Sequence, residues 1–317
     1  MGPVTRTPCL AARWVAMVVV AAGAACGDPE AWDLHTGAER HALTRRCNGH
    51  VELCGRSLEQ VSLPATHNAM SHVDGGWGWP NQTHGLTRQL EDGIRGLLLD
   101  THYWNPRSHV TDSVAADVPI LQQLFLCHRN CNRGAQGLVE GLGEIAHFLR
   151  THPDEVVVTL LEDYIAVEHL AEALDAAGLR PYVMPNPRPP YLTLGELIDA
   201  GQRLLLLSEH TKDGPPWYPH AWSLMEDTPF TVLWPSRFGC DHNRGPRGAP
   251  LYLLNHWLSP PRRGRADVAN RQAVLGRHVQ ACQLISGRLP TLVAVDFYDV
   301  GDLFRVVRDL NGLPDST

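Results

Sequence analysis

Short apolar runs recur along the chain from residue 59 onward, and helical stretches separate many of them. The runs fall at residues 61–64, 94–99, 124–126, 156–161, 204–207, 251–254 and 292–295. Several are apolar without alternation, which is typical of strands buried on both faces of a parallel sheet. The helical stretches fall at residues 137–150, 167–177, 194–200, 268–282 and 302–310. Alternating β and α units predict either a barrel or an open doubly wound sheet.

The remaining segments define the expected domain. Residues 27–58 form a polar lead-in, and residues 59–317 have the length of a single α/β barrel. No G-x-G-x-x-G follows a predicted strand, so a dinucleotide-binding fold lacks support. Residues 211–250 are rich in Gly, Pro and Trp, which predicts a long loop on the active-site side.

Polar residues stand at the ends of seven successive predicted strands. They are Thr66-His67-Asn68, Asp100-Thr101-His102, His128-Arg129, Glu162-Asp163, Glu209-His210, Asn255-His256 and Asp296. Functional residues of a parallel α/β barrel gather at the carboxyl ends of its strands. One His or Asp in such a place is more often a turn former or a cap, but seven at one face are hard to explain as independent caps. The pattern therefore predicts a functional cavity at this end of the barrel.

The residue types in this cavity favour acid–base chemistry. The chain has no G-x-S-x-G nucleophile elbow and no H-E-x-x-H helix. Two imidazoles with carboxylates to orient them suit attack on a phosphodiester by a hydroxyl group of the substrate itself. One imidazole removes the hydroxyl proton, and the other protonates the leaving oxygen.

Five short motifs follow one another through this region. They are LPATHN (63–68), GIRGLLLD (93–100), LCH (126–128), LEDY (161–164) and AVDFY (294–298). In this order they resemble the X-domain of phosphatidylinositol-specific phospholipase C, and they look closest to the plant and bacterial PLC-like phosphodiesterases. The resemblance implies a distorted, partly open (β/α)8 barrel of the TIM type. It also implies hydrolysis of a phosphoric diester, such as phosphatidylinositol, through a cyclic phosphate.

The resemblance also implies catalytic roles for three residues. His67 is similar to the general base toward the inositol 2-hydroxyl, and His128 is similar to the general acid for the glycerol oxygen. Asp296 is similar to the carboxylate that orients the first histidine in bacterial members. A base held by an orienting carboxylate is the arrangement of other nucleophile-activating sites.

Calcium is one expected means of neutralising the phosphate. By the same resemblance, Asn68, Asp100 and Glu162 match three of the four calcium ligands of the eukaryotic enzymes. The fourth position falls on Leu98, which cannot coordinate a metal. A calcium ion held by the three oxygens and by water is still feasible.

Basic side chains are the other expected means. Metal-free bacterial members place an Arg two residues after the Asp, and this chain has His102 there. Arg95, His102 and Arg129 are therefore predicted to bind the phosphate, either in place of calcium or beside it.

The first 26 residues predict export. An apolar run over residues 14–25 follows a short basic start, and its length suits a signal-peptide core rather than a transmembrane helix. Small residues followed by Cys26 resemble a lipobox in which Cys26 is lipidated, although Gly23 stands where Leu is usual. A plain secretory signal cleaved near Ala25 is the alternative. The mature protein is thus expected in the cell envelope as a lipoprotein, held at the membrane surface, or as a secreted protein.

Six cysteines remain beyond the signal segment. An even number in an exported chain is typical of disulfides. Fifteen pairings are formally open for six cysteines, and proximity along the chain favours Cys47–Cys54, Cys127–Cys131 and Cys240–Cys282. Zinc binding is less well supported, because no two cysteines are spaced C-x-x-C.

The composition of the chain limits the classes of molecule that the protein is expected to bind. With a net charge of −7 over 317 residues, no broad basic surface points to nucleic acid, and no obligate protein partner is evident. The expected partner is a phospholipid or another phosphodiester. Three classes stay open: the phosphodiesterase above, a glycerophosphodiester or sphingolipid phosphodiesterase on the same barrel, and a non-catalytic surface binding protein. The presence of both histidines argues against the last, whereas fold analogy cannot supply the head group.

Overall fold

Ten strands lie within residues 45–314, the part of the chain that the computed structural model describes. They are β1 (Leu63–Thr66), β2 (Gly96–Asn105), β3 (Val110–Thr111), β4 (Leu124–Leu126), β5 (Gln136–Gly137), β6 (Val157–Asp163), β7 (Leu204–Ser208), β8 (Met225–Asp227), β9 (Leu251–His256) and β10 (Leu292–Val295). Seven of them are parallel and follow the order β8-β9-β10-β1-β2-β6-β7. Within these residues no ladder joins β7 to β8. The predicted distorted, partly open α/β barrel is therefore confirmed.

Seven α-helices accompany the strands in residues 45–314. They are α1 (Leu86–Glu91), α2 (Leu138–Thr151), α3 (Val167–Ala176), α4 (Leu194–Asp199), α5 (Arg263–Ala269), α6 (Gln272–Ser286) and α7 (Leu303–Leu310). The helix predicted over residues 268–282 is in fact parts of two helices that meet at Asn270. The Asn270 side chain donates hydrogen bonds to the backbone oxygens of Asp296 and Phe297, at 2.9 and 3.2 Å. The break between the helices thus supports the end of β10.

The apolar strands contribute side chains to two hydrophobic cores. In β7, Leu205 and Leu207 face the barrel interior, while Leu204 and Leu206 pack in the outer layer with the helices. Side chains alternate between the faces of a strand, so a strand buried on both faces must be apolar throughout. This explains why the predicted strands lacked polar alternation.

Two strands differ from the sequence-based expectation. β4 is antiparallel to β2, because β2 continues past Asp100 and the chain folds back along Thr101–Tyr103. β4 therefore runs back toward the carboxyl end of the barrel, and His128, which follows β4, lies at that end. β8, which is parallel to β9, lies inside the segment predicted as a loop over residues 211–250.

Residues 45–58 close the amino end of the barrel. The Asn48 side chain exchanges two hydrogen bonds with the backbone of Val156, at 2.7 and 3.1 Å, and Cys47 and Leu58 are fully buried. The described part of the lead-in is therefore packed against the barrel. The predicted signal segment 1–26, with the predicted lipidation site Cys26, and residues 27–44 lie outside the described residues.

Three disulfides cross-link the described chain. They join Cys47 to Cys54, Cys127 to Cys131 and Cys240 to Cys282, the pairs favoured by their proximity in the sequence. None of the helices in residues 45–314 is long and apolar enough to cross a membrane.

Arg95 also belongs to the amino end, which corrects the prediction that it binds phosphate. It directly precedes β2, so it lies at the opposite end of that strand from the polar strand ends. Its guanidinium pairs with Glu155 at 2.6 Å and donates to the backbone oxygens of Leu90 and Ile94. Arg95 is therefore a buried structural cation.

Replacing Arg95 should lower stability. Arg95→Met leaves the Glu155 carboxylate, which is only 13% exposed, without its counter-charge. Loss of one partner of a buried pair typically costs about 3–5 kcal/mol, so the free energy of unfolding in urea should fall by that order. The exposed pair of Arg88 and Asp92 provides the control, and Arg88→Met should change little. Equal effects of the two substitutions would contradict the assignment.

Candidate active site

A cavity of about 480 Å³ opens at the carboxyl end of the barrel. Every polar strand end predicted from the sequence contributes to its lining: His67, Asn68, Asp100, His128, Arg129, Glu162, Glu209, Asn255 and Asp296. Their neighbours Asp163 and His256 face away, because side chains alternate along a strand. Asp163 instead accepts hydrogen bonds from Ser208 and from the backbone of His210, and so anchors the loop after β7.

His67 and Asp296 form a hydrogen-bonded pair on neighbouring strands. Thr66 of β1 is in register with Val295 of β10, so the residues that follow them lie side by side. Nδ1 of His67 lies 2.9 Å from Oδ1 of Asp296, whose side chain is only 3% exposed. The Asn81 side chain donates to the same oxygen at 3.0 Å. Asn81 therefore fixes the position of the Asp296 carboxylate, which in turn orients the imidazole of His67.

His128 faces this pair across the side chain of Asn68. Nδ2 of Asn68 lies 3.1 Å from Nε2 of His67 and 3.4 Å from Nδ1 of His128. Because an amide nitrogen only donates, Nε2 of His67 carries a lone pair and its Nδ1 carries the hydrogen that is donated to Asp296. That tautomer is the one required of a general base at Nε2.

The residues that directly follow His67, His128 and Asp296 have a left-handed backbone conformation. Asn68, Arg129 and Phe297 have φ values of 46°, 60° and 49°. Such values are uncommon for residues other than glycine, and backbone strain of this kind clusters at functional sites. Each turn directs the chain away just after a side chain has entered the cavity.

Two contacts hold His67 in place. The indole of Trp257 stacks on its ring, with centroids 3.8 Å apart and planes 6° from parallel. The Gln82 side chain donates to the backbone oxygens of His67 and Val295, at 2.7 and 3.0 Å, and so ties β1 to β10. The imidazole is thereby restrained at its ring face, its Nδ1 and its backbone.

Comparisons with known proteins agree with this geometry. The family model described as PI-PLC X matches residues 53–311. The chain belongs to the PI-PLC X domain family. PI-PLC X domain-containing protein 1 of Arthroderma benhamiae is 30% identical over 84% of this chain and 90% of its own length. A PI-PLC X domain-containing protein of Arabidopsis thaliana is 26% identical over 81% of this chain and 63% of its own length.

Solved structures agree on the fold. A double mutant of the phosphatidylinositol-specific phospholipase C from S. aureus matches 83% of this chain and 95% of its own, with a TM-score of 0.52 and 13% identity. A single mutant of the same enzyme, from Staphylococcus aureus, matches with a TM-score of 0.51 and 13% identity. At 13% identity, these comparisons show only that the proteins share the barrel fold.

Positive charge in this PI-PLC X domain lies beside His128. Arg129 lines the cavity, as predicted. Burial lowers the pKa of His128 to about 4, and the neighbouring His67, Arg129 and His102 add to the shift. His128 is thus neutral near pH 7 until a negative charge enters the cavity.

His102 does not line the cavity, which corrects the prediction that it contacts phosphate. Its side chain is buried, its Nδ1 pairs with Asp112 at 2.8 Å, and its ring stacks on Tyr164. It contributes to the electrostatic shift at His128, and it supports Tyr164, whose hydroxyl donates to the cavity-lining Glu162.

The side of the cavity that is formed by the neighbouring strands β2, β6 and β7 is acidic. Asp100, Glu162 and Glu209 line it, and burial together with the two glutamates raises the pKa of Asp100 well above its usual range. Arg244 pairs with Glu209 and also with Asp227, at 2.7 Å, and lies 3.9 Å from the ring centroid of Trp222. Its charge is therefore already matched by two carboxylates.

Sequence reasoning missed three contributors to the site: Asn81, Trp257 and Arg244. Trp257 directly follows the strand end Asn255-His256, so its position was a usable signal. Asn81 and Arg244 come from segments without periodicity, and only the folded chain brings them to the cavity.

The lowered pKa of His128 can be measured directly. In the free protein the imidazole should lose its proton as the pH rises through about 4. Arg129→Gln removes a positive neighbour that disfavours the imidazolium, so the pKa should rise. Histidine NMR titrations of both proteins give the comparison, with Arg133→Gln as the control. A His128 that titrates near 6.5 in the unaltered protein would contradict the electrostatic account.

Proposed function

We propose that the protein hydrolyses a phosphodiester of a phospholipid such as phosphatidylinositol. The observation that carries this proposal is the pair of His67 and Asp296 facing His128 across the amide of Asn68. One imidazole is held as a base and the other lies where a leaving group can be protonated. Membership of the PI-PLC X domain family supports the same reaction class.

In the first step, Nε2 of His67 takes the proton from a hydroxyl next to the phosphate. That oxygen attacks phosphorus, the bond to the glycerol oxygen breaks, and His128 gives its proton to the departing oxygen. The products are a diacylglycerol and a cyclic phosphate. The anionic phosphate favours the imidazolium of His128 and so counteracts the effect of burial on its pKa. Water then opens the ring with the two histidines in reversed roles.

We propose Arg129 as the side chain that neutralises the phosphate, with calcium as a second contributor. Asn68, Asp100 and Glu162 offer oxygen atoms to one cavity, and a cation there would relieve the repulsion that raises the pKa of Asp100. The carboxylates of Asp100, Glu162 and Glu209 do not all lie within 4.8 Å of one another. Water would therefore complete the coordination.

Calcium favours the ionised form of Asp100, whose pKa is raised by burial and by the two glutamates, so calcium affinity should increase and any proton release should decrease as the pH rises. Calorimetric titrations in two buffers of different ionisation enthalpy would measure both affinity and proton release. Glu162→Gln should weaken binding, and the exposed Glu168→Gln provides the control. Absence of binding heat, together with turnover that is insensitive to a chelator, would leave Arg129 as the neutralising group.

The acidic side of the cavity favours a head group rich in hydroxyls. Carboxylates at Glu162 and Glu209 accept hydrogen bonds from a polyol and repel additional phosphates. An inositol without further phosphates meets these conditions. A glycerophosphodiester or sphingolipid with a hydroxyl near the phosphate is the alternative substrate.

Exposed apolar side chains near the cavity support a lipid surface as the place of action. Trp79 and Phe230 line the cavity and are 66% and 38% exposed, and Leu233 and Trp234 are 54% and 64% exposed. Arg133 lies 3.8 Å from the ring centroid of Trp79. Tryptophan with arginine suits the interface of an anionic membrane.

The double change Leu233→Ala and Trp234→Ala should weaken binding to phosphatidylinositol vesicles by about tenfold or more, since each apolar side chain stabilises insertion. Leu284→Ala with Ile285→Ala on α6 is the matched control, because these residues are even more exposed, whereas Leu233 and Trp234 closely follow the cavity-lining residues Phe230 and Thr231. Vesicle co-sedimentation measures both. Similar losses in the two double variants would argue against a local docking surface.

We further propose that the protein is exported and anchored through lipidated Cys26. The three disulfides support export, and a relative in Arthroderma benhamiae is named an uncharacterized secreted protein. That relative is 26% identical, and this chain covers 65% of its length.

His67→Ala and His128→Ala should each reduce turnover on the order of 10²–10⁴-fold or more while the fold persists. Asp296→Asn should cost less than loss of His67, because Asp296 orients the base and transfers no proton. Phosphorus NMR should show a cyclic phosphate before any monoester. Near-normal turnover in either histidine variant would refute the mechanism, and label from heavy-oxygen water in the first product would indicate direct attack by water.

A further inference from the structure

Two buried histidines face each other behind the wall of the cavity. His256 is the last residue of β9, and His278 lies on α6. Their Nδ1 atoms are 2.9 Å apart, and the side chains are almost fully removed from solvent. Neither residue lines the cavity or takes part in the proposed reaction.

The outer nitrogens of the pair fix the tautomers. Nε2 of His256 lies 2.9 Å from the carbonyl oxygen of Ala269, and Nε2 of His278 lies 3.2 Å from that of Gly239. Carbonyl oxygens only accept, so a neutral ring whose Nε2 donates to its carbonyl has its lone pair at Nδ1. Two such lone pairs 2.9 Å apart repel each other, so both rings can hold this tautomer together only when a cation lies between them. Two imidazole lone pairs are thus directed at the same region. Metal-binding histidines are held in this way, with the other ring nitrogen donating to a backbone carbonyl.

Two sulfur atoms lie next to His278. Cys282 is four residues after His278 on α6, so both side chains share one face of the helix. Cys282 is joined to Cys240, and one ring nitrogen of His278 lies within 4.8 Å of both sulfurs. Among residues 45–314 no other group of three His, Cys, Asp or Glu ligands is this close. Phe238 covers the cluster, with its ring 3.9 Å from that of His256.

We propose that Cys240, Cys282 and His278 bind Zn²⁺ when the Cys240–Cys282 disulfide is reduced, and that His256, which contacts His278 but lies outside their 4.8 Å group, moves toward them to complete a Cys2His2 site. A dithiol supplies two electrons and two protons to the disulfide and is itself oxidised to a cyclic disulfide. The two thiols that result lose their protons on binding the metal. Two thiolates and two imidazoles are a common ligand set of structural zinc.

The disulfide and the metal are then alternative links between the same elements. Each ties α6 to the segment between β8 and β9, which contributes Phe230 and Arg244 to the cavity. The metal adds β9 through His256. The cavity wall would therefore be held before oxidation as well as after it.

The test uses the full chain and Co²⁺ as a spectroscopic substitute for Zn²⁺. The protein is reduced with a phosphine, which becomes its oxide, and is then titrated with Co²⁺. One equivalent should produce thiolate-to-cobalt charge-transfer absorption and the visible bands of tetrahedral cobalt, and Zn²⁺ should displace it. The oxidised protein should give neither signal.

Variants assign the ligands. His256→Gln and His278→Gln should each weaken Co²⁺ binding on the order of 100-fold. Loss of the other cysteine pairs, by Cys47→Ser with Cys54→Ser or by Cys127→Ser with Cys131→Ser, should leave one tight site. Unchanged binding in both histidine variants, or no charge-transfer band in the reduced protein, would overturn the proposal. If reduction unfolds the chain, Zn²⁺ should restore its circular dichroism, and failure to do so would also overturn it.

Discussion

The register between β1 and β10 is the constraint on which the site depends. It sets Thr66 opposite Val295, so His67 and Asp296 leave the sheet as neighbours. The backbone nitrogen of His67 donates to the oxygen of Val295 at 3.0 Å, and Gln82 bonds to both strands. A slip of one residue would turn the carboxylate to the other face of the sheet. The ladder between β1 and β10 therefore also aligns His67, the proposed base, with Asp296.

Charge is divided unevenly across the cavity. Arg129 stands beside His128, whereas Asp100, Glu162 and Glu209 line the side formed by β2, β6 and β7. The guanidinium of Arg244 does not reverse this imbalance, because Asp227 and Glu209 already pair with it. In the proposed reaction, Arg129 and the two histidines would contact the phosphate, and the glutamates would contact hydroxyl groups of the head group. An anionic substrate would then be oriented by local charge, although the whole chain is acidic.

The sequence predicted the site better than it predicted the path of the chain. The uniform apolar runs marked the parallel strands, and each polar strand end contributed to the cavity. The direction of β4 could not be predicted, because a three-residue apolar run has the same pattern in a parallel strand and in an antiparallel strand. β8 was hidden because Met225–Asp227 contains one apolar residue. The incorrect prediction for Arg95 could have been avoided from the sequence, since a residue just before a strand lies at the amino end of that strand.

His128, the proposed general acid, is the site residue with the least structural support. His67 and Asp296 follow interior strands of the parallel sheet, whereas His128 follows the three-residue β4, which is paired only with the outer end of β2 and with β5. The Cys127–Cys131 disulfide brackets His128, and Cys127 also bonds to the backbone oxygen of Asp100 at 3.2 Å. A closed loop of so few residues contributes little chain entropy to stability. Its physical value is local, because it fixes the backbone on both sides of a group whose position must match that of His67.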